Sequence, residues 1–341
     1  MDAALRILDA NLNRAREGLR TAEEYARLGL GDAALSGRCK SLRGLLKELI
    51  GQDAALAARL LAARDVQHDV GLATDGAGAA RLDLADVARA GIKRAQEALR
   101  VIEECAKAVA PGAARLAAKA RYEAYALEQQ LFAVGPARKL LRESPVMVVF
   151  TRSQCRNWQQ TLAALHEAGA RLFQLREKDA SAREFAAYAR EFIARAADSV
   201  VLINDRADIA GAVGAAGVHL GQTDLSVSDA RRLQGPAGLV GVSTHNVTEA
   251  KAAAEAGADY IGLGAMFPTA SKKIESTTTP QQVREVLATA TLPVFCIGGV
   301  GPANLAGLRE LGVRQVAAGS SIVGADSPGA AWQAMAKGLQ P

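Results

Sequence analysis

Residues 172–178, LFQLREK, determine how the second half of the chain is interpreted. The segment begins as an apolar strand, and alternate residues of a strand share one face. Gln174, Arg176 and Lys178 are therefore predicted to point the same way at the end of that strand. Arginine offers a planar fork and lysine a mobile point charge, so together they suit a di- or polyphosphate. The alternative is an ordinary strand whose terminal charges are solvated.

Apolar runs that predict strands recur eight times after residue 145, and helical patterns separate them. The strands are predicted at 146–150, 171–175, 200–203, 216–220, 239–243, 259–264, 293–297 and 314–319. The helices are predicted at 158–168, 181–197, 206–214, 227–234, 247–256, 280–289, 302–311 and 328–338. Eight alternations predict an α/β unit, a (β/α)8 TIM barrel over 145–341. A doubly wound sheet is the structural alternative.

The front of the chain contains an internal repeat. The segment NRAREGLRTAEEYAR (13–27) resembles KRAQEALRVIEECAK (93–107), 80 positions further on. Each copy has an apolar stripe at helical spacing beside a stripe of alternating charges, and further helices are predicted at 33–50, 53–63 and 113–133. We therefore expect an all-α helical bundle over 1–134, with the repeated helices paired about a pseudo-twofold axis. Alternatively, the charged stripes are only a solvated, salt-bridged face.

Two segments of the front half lack helical periodicity. Gly135 and Pro136 predict the end of a helix, so residues 135–144 are predicted to link the two domains. The segment RDVQHDVG (64–71) precedes the glycine-rich TDGAGAA (74–80). Its polar groups suit a phosphate or Mg²⁺ site, and the candidate residues are Arg64, Asp65 and Asp69. A polar turn between the bundle halves is the alternative.

Composition limits the classes of function. The chain has 341 residues, 50% hydrophobic and 4% aromatic, with a net charge of +5, which is typical of a globular protein. Its basic residues are interspersed with acidic ones, so we expect no nucleic-acid partner. No apolar stretch reaches ~18 residues and no signal peptide is evident, so we expect no membrane association. Four widely spaced cysteines without metal-ligand spacing indicate a cytoplasmic protein.

Chemistry in a barrel lies at the carboxyl ends of its strands, and polar residues follow most of the predicted strands. Asp205 and Asp224 follow neighbouring strands and are predicted to hold one Mg²⁺, with water and phosphate oxygens completing its shell. Gly299 and the pair Gly319–Ser320 suit a second phosphate, bound by backbone N–H groups. Two phosphate sites at one end of a barrel predict two phosphorylated substrates.

Each of these groups also has a structural alternative. Asp205 is suited to be the N-cap of the next helix, and Asp224 to form a turn. His219 lies within an apolar run and is predicted to be a packed strand residue. His245 is suited to be a polar loop residue.

The rim motifs closely resemble the thiamine phosphate synthase family. The resemblance rests on QLREK (174–178), ND (204–205), GVHLGQTD (217–224), GVSTHN (241–246), GADYIGLGAMFPT (257–269), Ser271–Lys272 and IGGVGPANL (297–305). It implies a barrel that joins a hydroxymethylpyrimidine diphosphate to a thiazole phosphate. Two positions depart from the family pattern: Ala265 replaces a proline, and Ser271 replaces a threonine.

The resemblance also implies roles for individual residues. The implied contacts to the pyrimidine diphosphate are Gln174, Arg176, Lys178, Asn204, Ser243 and Lys272. The implied Mg²⁺ ligands are Asp205 and Asp224, and the implied thiazole-phosphate contacts are Thr269, Ser271, Gly299, Gly319 and Ser320. The implied reaction is a dissociative substitution without a protein nucleophile.

The front domain resembles a module found fused to such synthases, a hydroxymethylpyrimidine phosphate kinase unrelated to the usual one. The resemblance rests on DANLNRAREGLR (9–20), RDVQHDVG (64–71) and KRAQEALRVIEE (93–104). It implies ATP as a further substrate and a chain that makes the diphosphate and then consumes it. The alternatives are a thiazole tautomerase barrel and a bundle that only scaffolds it. Both substrates are small molecules, and homo-oligomer formation is left open.

Overall fold

The computed structural model describes residues 2–51, 54–64, 81, 83–235, 237–268 and 277–340. Its contacts divide the chain into two compact units, Met1–Lys139 and Leu140–Pro341. Each unit has its own apolar core, as expected for a chain of this length. Among the described residues, no helix combines the length and apolar character needed to cross a bilayer.

The first unit is built from helices in its described part. They are α1 (Asp2–Glu24), α2 (Ala33–Gly51), α3 (Ala54–Ala62), α4 (Leu84–Val109) and α5 (Pro111–Gln129). π-Helical segments, Tyr25–Gly29 and Gln130–Val134, follow α1 and α5. The apolar stripe of each repeated segment is buried, so burial of one helical face explains why these sequences form helices. The all-α prediction for this region is confirmed.

The two repeated helices, α1 and α4, pack directly against each other. An ideal Cβ on Gly18 of α1 would lie 2.2 Å from the carbonyl oxygen of Gly91 in α4. It would also lie 3.2 Å from the Cβ of Ala95. The helices therefore meet backbone to backbone at this crossing, which only residues without a side chain permit. The pairing expected from the repeat is present.

The alternating charges form ion pairs along each repeated helix. Glu24 pairs with Arg20 and Arg27, and Glu104 pairs with Arg100 and Lys107. The arginine and lysine side chains are more than half exposed, so these pairs contribute little to stability. The salt-bridged face, one of the two interpretations of the stripes, describes them correctly.

Two buried glutamates, which the charge pattern did not single out, connect each repeated helix to an adjacent helix. Glu23 and Glu103 occupy equivalent positions and are only 7% and 9% exposed. Glu23 accepts a hydrogen bond from Arg43 of α2 at 2.7 Å, and Glu103 accepts one from Arg121 of α5 at 2.9 Å. Burial disfavours the charged form of Glu103, but its arginine partners outweigh that effect and lower its pKa.

The crossing of α1 and α4 yields a stability prediction. Gly91→Ala would place a Cβ 1.8 Å from Oγ1 of Thr21, so we expect the helical unit to lose about 1–3 kcal/mol of unfolding free energy. Gly37→Ala is the matched control, because its Cβ meets nothing within 4 Å on α2. The control is expected to stabilise α2 by about 0.5–1 kcal/mol. Urea unfolding followed by circular dichroism measures both, and equal effects would contradict the close crossing.

The predicted helix end before Gly135 is wrong. Helix α6 (Gly135–Glu143) follows the π-helical segment without a break, within the residues 135–144 that were predicted to link the two domains. The N–H of Gly135 donates to the carbonyl of Gln130, five residues back. This wider turn lets the chain pass the point where Pro136 lacks an N–H and would clash with the preceding turn of an α-helix. The unit boundary, between residues 139 and 140, falls inside α6.

The second unit is a closed barrel of eight parallel strands in sequential order. The strands are β1 (Val146–Phe150), β2 (Leu172–Leu175), β3 (Val200–Asn204), β4 (Gly217–Leu220), β5 (Leu239–Thr244), β6 (Tyr260–Leu263), β7 (Val294–Ile297) and β8 (Val316–Ala318). The helices are α7 (Trp158–Glu167), α8 (Ala182–Arg195), α9 (Ala207–Val213), α10 (Val227–Gln234), α11 (Val247–Glu255), α12 (Pro280–Thr289), α13 (Leu305–Glu310), α14 (Ser320–Val323) and α15 (Pro328–Gly338). Short 3₁₀ segments occur at Arg152–Gln154 and Pro302–Asn304. The TIM-barrel prediction is confirmed, and the doubly wound alternative is wrong.

Strand residues alternate between two environments. One set packs under the helices in a single apolar core, as Val201 and Ile203 do in β3. The residues between them, such as Leu202 and Asn204, point into the barrel interior. The same alternation places Gln174 of β2 inside the barrel, and this inward set supplies most of the polar groups described below.

Candidate active site

The end of β2 carries the three polar residues that were predicted to bind a diphosphate. Gln174 is 2% exposed and lies in the barrel interior, while Arg176 and Lys178 follow the last strand residue. The N–H of Arg176 donates to the carbonyl of Phe150 at 3.0 Å, which extends the pairing with β1 by one residue. Glu177 faces β1 instead and accepts from the N–H of Arg152 at 2.6 Å. Alternation therefore separates the two cations from the intervening carboxylate.

Asp205 follows β3 in a left-handed backbone conformation, with φ of 64°. The N–H of Arg206 donates to the carbonyl of Asn204 at 2.8 Å, closing a tight turn around Asp205. The N–H of Asp205 itself donates to the carbonyl of His219 on β4 at 2.8 Å. The N-cap of α9 is Arg206, without a side-chain hydrogen bond, so the alternative that Asp205 caps this helix is wrong.

Asp224 forms the turn after β4 and also faces Asp205. Its Oδ2 accepts from the N–H of Gly221 at 2.6 Å, as the turn-forming alternative predicts. Burial raises the pKa of Asp205, and the neighbouring carboxylate of Asp224 raises it further. The positive charges of Arg176 and Lys178 act to lower the pKa of the same carboxyl group. Two carboxylates and two cations thus occupy one electrostatic neighbourhood at the carboxyl rim, the barrel end where the strands finish.

A hydrogen-bonded set of side chains crosses the barrel interior beneath this rim. His219 is 5% exposed; its Nδ1 lies 2.9 Å from the hydroxyl of Tyr260, and its Nε2 lies 3.0 Å from Oγ of Ser243. The side chain of Gln174 lies next to the hydroxyl of Tyr260, which is fully buried. His219 is thus a packed strand residue, as predicted, but it connects two predicted site residues.

Tyr260 was not among the predicted site residues. Its side chain was counted as part of the apolar run at 259–264, and its hydroxyl received no role. The available signal was a tyrosine facing the interior two residues before Gly262, in a barrel with few aromatics.

The ends of β7 and β8 carry the glycines predicted to bind the second phosphate. Gly299 has φ of 65°, and an ideal Cβ there would lie 2.7 Å from the carbonyl oxygen of Pro268. An ideal Cβ on Gly319, which directly precedes α14, would lie 3.2 Å from the carbonyl oxygen of Val149. Position 299 therefore needs glycine so that the neighbouring backbone segment can approach, whereas a side chain at position 319 would require a small shift of its neighbour. Ser320 begins α14, where the first N–H groups of a helix lack intrahelical partners.

Two further side chains, also missed from the sequence, fix the loop after β7. Nδ2 of Asn304 donates to the carbonyl of Gly299 at 2.8 Å, and Oδ1 of the same side chain accepts from the N–H of Gly301 at 3.0 Å. Oγ of Ser321 donates to the carbonyl of Val300 at 2.7 Å. This last bond connects the β7 loop to α14, so the two predicted phosphate-binding segments lie side by side.

Several predicted site residues lie outside the described residues. They are Thr269, Ser271 and Lys272 in the second unit, and Asp65 and Asp69 in the first. The segment 269–276 joins two described, anchored ends: Phe267 donates its N–H to the carbonyl of Gly298, and Thr278 donates to that of Ala265. These bonds, at 2.9 and 2.8 Å, hold both ends at the rim near β6 and β7.

Arg64, the described candidate of the first unit, already has a carboxylate partner. Its Nε and Nη2 donate to the two carboxylate oxygens of Asp9 on α1, at 2.7 and 2.8 Å. The hydrogen bond and the charge of Asp9 raise the pKa of Arg64. In this arrangement Arg64 connects the end of α3 to α1.

The donor set at the rim fits Mg²⁺. The described residues contain no group of three or more histidine, cysteine, aspartate or glutamate side chains arranged to hold a metal. Asp205 and Asp224 nevertheless approach within hydrogen-bonding contact of each other. Two acids so close repel when both are ionised, and a divalent cation relieves that repulsion. Mg²⁺ typically uses one or two carboxylates and takes its other ligands from water and substrate phosphates.

A closed (β/α)8 barrel whose polar side chains gather at the carboxyl rim is the class of protein that fold and site define. Residues 146–322 match the family model described as thiamine monophosphate synthase, and residues 6–130 match the model described as the ThiD2 family. The chain belongs to the thiamine-phosphate synthase family.

Relatives match over nearly the whole chain. The thiamine-phosphate synthase of Synechocystis sp. is 39% identical over 330 residues, covering 96% of this chain and 93% of the relative. That of Gloeobacter violaceus is 38% identical over 329 residues, covering 95% and 94%. The solved thiamine phosphate pyrophosphorylase of Pyrococcus furiosus superposes with a TM-score of 0.52 and 29% identity, covering 58% of this chain and 97% of its own. The full-length matches include both units, so the fusion is shared with these relatives.

Proposed function

We propose that the barrel joins 4-amino-2-methyl-5-hydroxymethylpyrimidine diphosphate to a thiazole phosphate, giving thiamine phosphate and diphosphate. The main support for this proposal is the cluster at the carboxyl rim. There Asp224 raises the pKa of Asp205, whereas Arg176 and Lys178 lower it. Such a mixture of acids and bases suits a diphosphate bound together with a divalent cation. Family membership supplies the identity of the two substrates.

In this proposal Asp205 and Asp224 hold Mg²⁺, which when bound supplies positive charge to the departing diphosphate. Arg176, Lys178 and Lys272 bind the diphosphate oxygens and stabilise the charge that grows as the leaving group departs. Protein charges fixed before the reaction are effective because they need no reorganisation during it.

The substitution requires no protein nucleophile. The bond between the pyrimidine methylene carbon and the diphosphate oxygen breaks, and its electron pair leaves with the diphosphate. The lone pair of the thiazole nitrogen then forms the new carbon–nitrogen bond. Gln174, Asn204 and Ser243 hold the pyrimidine diphosphate in this scheme.

The thiazole partner is held by its own phosphate. The residues proposed to bind it are Thr269, Ser271, Gly299, Gly319 and Ser320. The adjacency of the β7 loop and α14, connected through Ser321, supports a single phosphate site built from both segments. A phosphate held there positions the thiazole ring for capture, because binding converts the bond-forming step into a reaction within one complex.

The test is product formation by the full chain. Purified protein with both substrates and Mg²⁺ is expected to release thiamine phosphate and diphosphate in equal amounts, measured by chromatography and a diphosphate assay. Omission of either substrate is the control. Isomerisation of a thiazole phosphate without consumption of the pyrimidine would instead support the tautomerase alternative.

For the helical unit we propose phosphorylation of the pyrimidine monophosphate by ATP. Support comes from the family match over residues 6–130, together with relatives that carry the same fusion. We propose Arg64, Asp65 and Asp69 as its site residues. Arg64 is held by its hydrogen bond to Asp9.

The kinase proposal is tested best in a full-length chain with a strongly impaired synthase site. With Asp205→Asn, pyrimidine monophosphate and ATP are expected to yield accumulating pyrimidine diphosphate and ADP in equal amounts. Without ATP, no diphosphate is expected. A complete lack of phosphoryl transfer, in protein whose helical unit is folded by circular dichroism, would favour the scaffold alternative.

A further inference from the structure

Four side chains from four strands form a continuous chain of contacts inside the barrel. Gln174 on β2 contacts the hydroxyl of Tyr260 on β6, which lies 2.9 Å from Nδ1 of His219 on β4. Nε2 of His219 lies 3.0 Å from Oγ of Ser243 on β5. The first and last residues in this series of contacts, Gln174 and Ser243, are proposed substrate contacts. The two residues between them, Tyr260 and His219, have no assigned role.

The barrel is built to accept these two middle side chains. An ideal Cβ on Gly241 would lie 2.0 Å from Cζ of Tyr260, and one on Gly262 would lie 3.2 Å from Cε1 of His219. Two neighbouring strands thus lack side chains where the two rings lie. The ring of Phe295 packs edge-on against Tyr260, with centroids 5.7 Å apart. The rings are therefore held in place by packing, and their polar atoms have fixed partners.

The hydrogen bonds in this chain have one consistent direction. A phenol O–H is a stronger hydrogen-bond donor than a neutral imidazole N–H, and an imidazole nitrogen is a stronger acceptor than a phenol oxygen, so the hydroxyl of Tyr260 donates to Nδ1 of His219. The oxygen of Tyr260 is then left to accept, and the amide nitrogen of the neighbouring Gln174 side chain is the donor that suits it. A neutral imidazole whose Nδ1 accepts carries its proton on Nε2, and Nε2–H donates to Oγ of Ser243.

We propose that Tyr260 is a positioning residue whose hydroxyl sets the tautomer of His219 and thereby orients the hydroxyl of Ser243. Because Oγ of Ser243 accepts from His219, its own hydrogen is directed to a substrate acceptor. Because the amide nitrogen of Gln174 is used by Tyr260, its carbonyl oxygen serves as an acceptor for the substrate. A donor and an acceptor fixed in this way match the ring nitrogen and the amino group of an aminopyrimidine. This inference rests on the proposed synthase activity.

The kinetic test removes one hydroxyl group. Tyr260→Phe is expected to lower kcat/KM for the pyrimidine diphosphate roughly 10- to 100-fold, because a buried hydrogen-bonding group loses its partner. The KM for the thiazole phosphate is expected to stay within about twofold, because its proposed site lies at β7 and β8. Tyr188→Phe is the matched control: Tyr188 is buried on α8, and its hydroxyl has no hydrogen-bond partner among the described residues. The control is expected to retain wild-type kinetics.

A double-mutant cycle separates positioning from general damage. If Tyr260 acts through Ser243, then Tyr260→Phe costs much less in a Ser243→Ala background than in the wild type. Additive penalties in the cycle, or a Tyr260→Phe variant within twofold of wild type, would overturn the proposal.

The tautomer can be observed without catalysis. In ¹⁵N-histidine-labelled wild-type protein, the signals of His219, assigned by comparison with His219→Gln, are expected to show a protonated Nε2 and an unprotonated Nδ1. Tyr260→Phe is expected to shift these signals toward a mixture of tautomers, whereas Tyr188→Phe leaves them unchanged. A protonated Nδ1 in the wild type would overturn the proposal even if Tyr260→Phe failed to fold. If the wild-type chain formed no thiamine phosphate, the proposed function would fail, but the spectrum would still decide the direction of the hydrogen bonds.

Discussion

Asp205→Asn is expected to reduce kcat for thiamine phosphate formation by about 10²–10³-fold, a loss typical of removing one preorganised charge-stabilising group. Asparagine tolerates the left-handed conformation found at this position, where φ is 64°, so the backbone turn after β3 should persist. The variant therefore removes the negative charge of the side chain but keeps its size and the backbone turn. Asp205→Ala is expected to be at least as impaired, because alanine adds backbone strain at a positive φ.

Mg²⁺ dependence makes this prediction specific. With one carboxylate of the pair neutralised, the Mg²⁺ concentration for half-maximal rate is expected to rise about tenfold or more. Asp208→Asn is the matched control, because Asp208 lies three residues further on and is exposed on α9, where it forms an ion pair with Arg206. The control should keep wild-type rate and Mg²⁺ dependence. Unchanged kinetics in Asp205→Asn at both low and saturating Mg²⁺ would reject the ligand role.

The raised pKa of Asp205 is consistent with the proposed role of this residue as a metal ligand. Burial and the charge of Asp224 both favour its protonated form, whereas Arg176 and Lys178 oppose that effect. Burial and mutual repulsion disfavour the ionised form of this carboxylate pair. A divalent cation therefore stabilises the ionised pair more than it would stabilise two well-solvated acids. The cost of bringing the acids together is thus offset when the metal and a diphosphate arrive.

The fold could be predicted because it depends on local patterns. Each barrel strand is a short apolar run bounded by polar residues, and the observed strands lie within about two residues of the predicted ones. Gly135–Pro136 misled the prediction, because their effect depends on a π-helical turn that no local pattern announces.

The site was only partly predictable. Charged residues after strands are visible in the sequence, because barrel topology sends every such residue to one rim. The partner of each side chain is not visible, because it depends on strand register and on the space left across the barrel. Tyr260 is the clearest case: its ring requires glycine at position 241, and the ring of His219, which it contacts, packs against Gly262 on a different strand. The left-handed turn at Asp205 is likewise a product of its pairing with β4.

Gly299→Ala is expected to lower kcat/KM for the thiazole phosphate by about 10²-fold, while the barrel remains folded. Alanine at φ of 65° costs about 1–2 kcal/mol in backbone energy alone. Its Cβ would also lie 2.7 Å from the carbonyl oxygen of Pro268 and 2.8 Å from Cβ of Phe267, so one of the two segments must move. Either movement is expected to disturb the proposed phosphate site, because Gly299 is one of the residues proposed to form it.

Gly307→Ala is the control for this prediction, since an added Cβ on α13 meets nothing within 4 Å. It should keep wild-type kinetics and a similar or slightly higher Tm. Steady-state kinetics with each substrate varied in turn, together with thermal unfolding, separate a local defect from loss of the fold. If Gly299→Ala bound thiazole phosphate as tightly as Gly307→Ala, the β7 loop would not form part of that site. A selective loss would show instead that close packing of two rim loops, rather than any charged side chain, shapes the second phosphate site.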